Sequence, residues 1–78
     1  MQKWEYLKII TKKIEKPGGL VYMQIKVGDE KEQEYSYQEG QDVRDKKIDE
    51  LSSKGWIYDG SSTIDEVTTI KFILPPEN

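Results

Sequence analysis

Apolar positions along the chain alternate with period two, then form a narrow stripe with a spacing of three to four, then alternate again. Residues 4–14 interleave aromatic or aliphatic side chains with charged ones and include the β-branched Ile9, Ile10, Thr11 and Ile14, a pattern that predicts a strand. One parity carries Trp4, Tyr6, Ile10 and Ile14 and the other Leu7 and Ile9, so the strand should lie inside a sheet with both faces covered. Lys16-Pro17-Gly18-Gly19 supplies a turn, since proline presets φ and glycine accepts the positive φ that follows. Residues 20–27 form the return strand, with Val21, Met23, Ile25 and Val27 on one face and Tyr22, Gln24 and Lys26 on the other. The glutamate- and glutamine-rich residues 28–40 read as a long loop carrying Tyr35 and Tyr37, with at most a short edge strand at 34–38.

The stripe of Val43, Ile48 and Leu51, joined by the stem of Lys47, predicts a helix over 43–54 with Asp42 as N-cap and Asp45 near its positive end. Lys46–Glu50 and Glu50–Lys54 are i,i+4 pairs on its wet side. The helix stops at Gly55, placed at C′, which makes Leu51 C3 and Trp56 C″, the two positions that touch in a Schellman ending. Trp56-Ile57-Tyr58 opens a third strand that ends near Asp59-Gly60-Ser61-Ser62. Residues 67–74 form the last strand, with Ile70, Phe72 and Leu74 on one face and Val67, Thr69, Lys71 and Ile73 on the other. Pro75-Pro76 closes it. The expected fold is α+β, ββαββ: a mostly antiparallel sheet of about four strands with one helix packed on one face.

Trp4-Glu5-Tyr6 at the first strand, Leu51 before Gly55-Trp56 at the helix end, and a final strand leading into Pro75 resemble the small bacterial and phage family of unknown function numbered 4177. That family reads W-E-Y-K at its start and E-G-W-E at the helix end. Here Leu7 stands where lysine is usual, Lys54 replaces the glutamate before the glycine, and Ile57 replaces the one after the tryptophan. The resemblance spans most of the chain and implies the same small α+β domain. It implies no reaction.

A chain of 78 residues makes a single domain near the size at which one core is barely sufficient. Cysteine is absent, which removes disulfides and zinc-thiolate sites and leaves packing, a partner or self-association as sources of extra stability. No apolar run is long enough to span a bilayer, and the first residues enter a strand pattern with no leader-like segment, so a cytoplasmic location is expected. The net charge of −3 is unevenly placed, at +4 over residues 1–26, −5 over 27–51 and −2 over the rest.

With neither histidine nor cysteine, and no serine with an identifiable base, the chain is expected not to be an enzyme. Glu30, Glu32 and Glu34, or Asp42, Asp45 and Asp49, would share a side of their elements, but neither set has the spacing of a calcium loop, so no metal is expected. Gly18-Gly19 lacks the strand-to-helix context of a phosphate loop, and no cofactor is implied. Lys8, Lys12, Lys13 and Lys16 lie beside Tyr6 and Tyr22 on the first hairpin, but a lone arginine and an acidic balance disfavour nucleic acid. Trp4, Tyr6, Tyr22, Trp56 and Tyr58 are read as core. One short helix cannot cover both faces of such a sheet, so a homodimer or higher homo-oligomer is expected. The leading functional reading is a non-enzymatic protein-interaction or regulatory module that binds a larger protein through its open face or through Tyr35 and Tyr37. The alternative is an oligomer that takes an anionic ligand or nucleic acid on the basic hairpin, at Tyr22, Lys12, Lys13 and Lys16.

Overall fold

The computed structural model describes residues 3–76; Met1 and Gln2, at the head of the segment read as leaderless, lie outside the described residues. The chain is α+β, with one helix against an antiparallel sheet. Its elements are β1 (Glu5–Lys16), β2 (Leu20–Val27), β3 (Gln33–Ser36), α1 (Tyr37–Ser53), β4 (Ile57–Ile64) and β5 (Val67–Leu74). The sheet has five strands in the order β3-β2-β1-β5-β4, and every neighbouring pair is antiparallel. Strand β1 is central. Its twelve residues pair with β2 near the turn (Ile9↔Val27 to Lys16↔Leu20) and with β5 along Glu5↔Leu74 to Lys12↔Val67.

The register sorts the side chains. Ile9 stands opposite Val27 on one side and Ile70 on the other, Leu7 opposite Phe72, and Met23 opposite Tyr35, so these share one face of the pleat. Helix α1 lies on that face. Ile9, Met23, Ile25, Leu51, Ile70 and Phe72 form the buried core, with Leu7, Val27, Tyr35, Tyr37, Val43, Ile48 and Trp56 packed around it. Helix and sheet approach closely at Gly40, where a Cβ would lie 2.7 Å from the Cβ of Met23. Only glycine allows the backbones to come that close.

The helix ends as its sequence predicts. Gly55 has φ +94, the Trp56 amide donates to the Leu51 carbonyl at 3.0 Å, and the Gly55 amide donates to the Ser52 carbonyl at 3.1 Å. These are the two bonds of a Schellman ending, and Trp56 is packed against the core that contains Leu51.

Four expectations change. The sheet has five strands, not about four, because the short edge strand offered at 34–38 forms at residues 33–36 and pairs with β2 from Ile25↔Gln33 to Tyr22↔Ser36. The element order is therefore βββαββ. The helix starts at Tyr37, six residues earlier than Val43, because the Ser36 hydroxyl caps it by accepting from the Glu39 amide. Ser36 and Glu39 have the spacing of a capping box, a signal that Asp42 masked. The second hairpin turns at Asp65–Glu66 rather than at 59–62; Tyr58↔Phe72 and Ser61↔Ile70 flank a bulge, and β4 runs on to Ile64. Trp4, Tyr6 and Tyr58, expected in the core, are exposed. Among the described residues no helix is long and apolar enough to cross a membrane.

Candidate functional site

With α1 on one face, the opposite face of the sheet is bare among the described residues. Its composition follows from strict alternation along β1, where the outward positions are Tyr6, Lys8, Ile10, Lys12, Ile14 and Lys16. Bulky apolar residues and lysines take turns, about 7 Å apart. Cross-strand neighbours extend each row: Tyr6 faces Ile73, which faces Ile57, and Lys8 faces Lys71. Ile10 lies between Lys26 and Thr69, Lys12 between Gln24 and Val67, and Ile14 beside Tyr22.

The result is a basic and apolar surface on a protein that is acidic overall. Lys8, Lys12, Lys16, Lys26 and Lys71 are brought together from β1, β2 and β5. Against them the registered positions hold one carboxylate, Glu34, while Asp59 sits in the bulge opposite Lys71. Large apolar side chains remain open on it, with Tyr6 75%, Ile64 71%, Leu20 56% and Ile57 49% exposed. A shallow depression of about 380 Å³ lies at the edge of this face, lined by Tyr6, Leu7, Lys8, Ile10, Lys26, Gly28 and the acidic Asp29. Acidic residues collect on the other side of the molecule, where the exposed positions of α1 include Glu39, Asp42, Asp45, Asp49 and Glu50.

One end of the face is organised by a side-chain bridge. Lys16 Nζ donates to Glu34 Oε2 at 2.8 Å and lies 4.3 Å from the Tyr22 ring centroid. The hydrogen bond to Glu34 raises the Lys16 pKa, with partial desolvation opposing it. Lys8, Lys12, Lys26 and Lys71 take part in no ion pair among the described residues. On α1, Glu50 accepts from Lys54 at 3.1 Å and lies 3.5 Å from Lys47, and the hydrogen bond from Lys54 leads the causes that lower its pKa.

The residues singled out in the sequence divide between the faces. Tyr22, Lys12 and Lys16 lie on the open face. Lys13 points to the helix side, next to its ion-pair partner Glu15 at 3.7 Å, because neighbours in a strand face opposite ways. Tyr35 is in β3 and Tyr37 opens α1; both pack on the core rather than displaying themselves on a loop. Sequence reasoning passed over Lys26 and Lys71 as site residues. Their signal was present in the parity of Lys26 with Tyr22 and of Lys71 with Ile73, but only the register places them beside Lys8 and Ile10.

A second concavity, of about 550 Å³, lies between α1 and the β2–β3 edge, over Ile25, Val27, Tyr35 and Val43. Lys31, Lys46 and Lys47 line it against Glu30 and Glu50, a surplus of one positive charge compared with five lysines on the open face. Among the described residues no three carboxylates converge to hold a metal ion. No family model, curated protein or solved structure significantly matches this chain.

Proposed function

We propose that the protein is a non-enzymatic binding module that docks another protein on the open face of its sheet. The observation that carries this reading is the assembly of five lysines among exposed apolar residues on one face, while the acidic side chains gather on the other. A sheet face of this kind is normally covered by a further layer, and contiguous exposed apolar surface marks an interaction site. The face runs about 27 Å along β1 from Lys8 to Lys16, flanked by β5 up to Lys12 and by β2 from Ile9 onward, and its strand residues together cover roughly 500 Å². An interface of about 1,000 Å² in total lies at the small, transient end of specific complexes. The partner is therefore held weakly and reversibly, in keeping with a regulatory role.

Aliphatic content favours a protein over nucleic acid. Ile10, Ile14, Ile57, Ile64, Ile73, Leu20 and Val67 outnumber Tyr6 and Tyr22 on the face, and Tyr6 and Tyr22 stand about eight strand residues, or roughly 27 Å, apart, too far for consecutive bases to stack on them. The single arginine, Arg44, lies on α1 beside Asp45 at 3.1 Å. Within this proposal, Trp4-Glu5-Tyr6, the Leu51–Gly55–Trp56 ending and the strand into Pro75 support membership of the family of unknown function that these residues resemble.

Self-association is a second reading, and it rests on β4. This strand is an edge of the sheet and exposes Ile57, Tyr58 and Ile64, so two copies can join β4 to β4. Pairing of two open faces is opposed by charge: each close lysine–lysine approach near 4 Å costs about 1 kcal/mol in water and about 4 kcal/mol at a near-surface dielectric. Sedimentation across micromolar concentrations tests the edge contact, and a single-chain mass throughout contradicts it.

The docking reading is tested by capture from the native host with an Ile10→Asp/Lys12→Glu variant and an Asp45→Lys/Asp49→Lys variant. Loss of the retained protein with the first and its persistence with the second is the expected result. The reverse pattern overturns the assignment of the open face.

A further inference from the structure

We infer that the partner of the open face is an amphipathic helix whose apolar stripe is flanked by aspartates and glutamates. This deepens the docking reading and rests on it. Three features of the face select a helix. Lys26 and Lys71 stand on the strands either side of β1, opposite Ile10 and Lys8 respectively, two strand spacings across and two residues along, or about 12 Å apart, and a helix with its side chains is about 10–12 Å across. A helix lying over β1 thus brings the carboxylates of its two flanks to Lys26 and Lys71 while its stripe meets Ile10. Along β1 the outward apolar positions Tyr6 and Ile14 stand about 27 Å apart with Ile10 midway, the rise over eighteen residues of a helix, which make five whole turns and return to the same face. Lys8 and Lys12 fall between them on β1, and their long apolar stems let the ammonium groups reach past the stripe to the flanking carboxylates.

The other segment types fit less well. An extended strand laid flat on side chains leaves its backbone N–H and C=O groups without partners, whereas a helix satisfies them internally. A polyanion lacks apolar atoms to cover Ile10, Ile14 and Ile73, and the face offers no arginine for bidentate phosphate contact. The depression lined by Tyr6, Ile10, Lys8, Lys26 and Asp29 receives one large apolar anchor, with a carboxylate one turn away reaching Lys8 or Lys26, which outnumber Asp29 there.

The test uses the full ¹⁵N-labelled chain and four probes. The first is an 18-residue peptide with a leucine stripe flanked by glutamates. The second replaces the glutamates with lysines, the third keeps the composition of the first but scatters the leucines around the helix, and the fourth is an 18-nucleotide oligothymidine. The first peptide should shift the amides of β1, β2 and β5 and bind at least tenfold tighter than the other three. A Lys8→Glu/Lys26→Glu/Lys71→Glu variant, checked for an unchanged circular dichroism spectrum, should weaken it at least tenfold. Equal binding of the first and third peptides, or of the first and second, overturns the helix assignment. Tighter binding of the oligonucleotide with shifts on the same strands removes the helical partner while leaving the open face as the docking site. Shifts confined to α1 and the groove beside it remove both.

Discussion

The backbone of Gly40 lies against the side chain of Met23, so that a Cβ at residue 40 would stand 2.7 Å from the Met23 Cβ and 3.0 Å from its sulfur. This contact sets the distance of α1 from β2. Gly40→Ala should lower stability although alanine is the better helix former: the propensity gain is about 1 kcal/mol, while overpacking a tight contact costs about 1–3 kcal/mol. The near atom is a Cβ, which cannot swing away. A fall in Tm of several degrees is expected, and the Gly40→Ala/Met23→Ala pair should cost less than the sum of the two single changes.

The ending at Leu51, Gly55 and Trp56 makes a second prediction. Gly55→Val forces a β-branched residue to φ +94, a strained conformation that should cost more than about 1 kcal/mol. Urea denaturation should show a lower midpoint with an unchanged slope.

A third change should stabilise the protein. Asp65 and Glu66 form a two-residue hairpin turn with φ of +51 and +66, the left-handed pair that Asn-Gly serves best. Relieving the strain of a non-glycine residue there gives up to about 1 kcal/mol. Asp65→Asn/Glu66→Gly should therefore raise Tm by a few degrees.

These contacts also show where sequence reasoning succeeds and where it stops. Period-two alternation in β1, β2 and β5 assigned Ile9, Met23, Ile25, Ile70 and Phe72 to faces that the structure confirms, since a one-residue slip would have exposed them all. The helix ending was legible because glycine at C′ has a specific backbone reason. Strand β3 was legible only as the short edge strand offered at 34–38, because Gln33-Glu34-Tyr35-Ser36 is polar and acquires its conformation from pairing with β2. The turn was misplaced because Asp59-Gly60-Ser61-Ser62 is the stronger local signal, and it forms a bulge instead. The five-lysine face depends on contacts between strands that are distant in sequence. Lys8 and Lys71 are neighbours only through the β1–β5 register, which no local pattern encodes.

The titration of Glu50 gives a fourth prediction. Its pKa is lowered by the hydrogen bond from Lys54 and by the charge of Lys47. A lowered carboxyl stabilises the fold above its ordinary value of 4.5, and the effect is lost as pH falls through the folded-state value. Lys16 has the opposite sense: its raised pKa stabilises below 10.5 and the effect is lost as pH rises through the folded-state value. By NMR, the Glu50 carboxyl should titrate below 4.5, and Lys54→Met should move it upward. Both groups are solvent-exposed, so added salt should shrink the shifts.

Lys12 and Lys13 are adjacent in β1 yet belong to opposite faces, Lys12 with Gln24 and Val67 on the open side and Lys13 with Met23 on the helix side. A photo-crosslinking residue placed at one position and then at the other, in cells that make the protein, separates the two faces with the least possible change of sequence. Crosslinking to a second protein from position 12 and not from position 13 is the predicted result. Crosslinking from position 13 alone would contradict the open face as the functional surface of this domain.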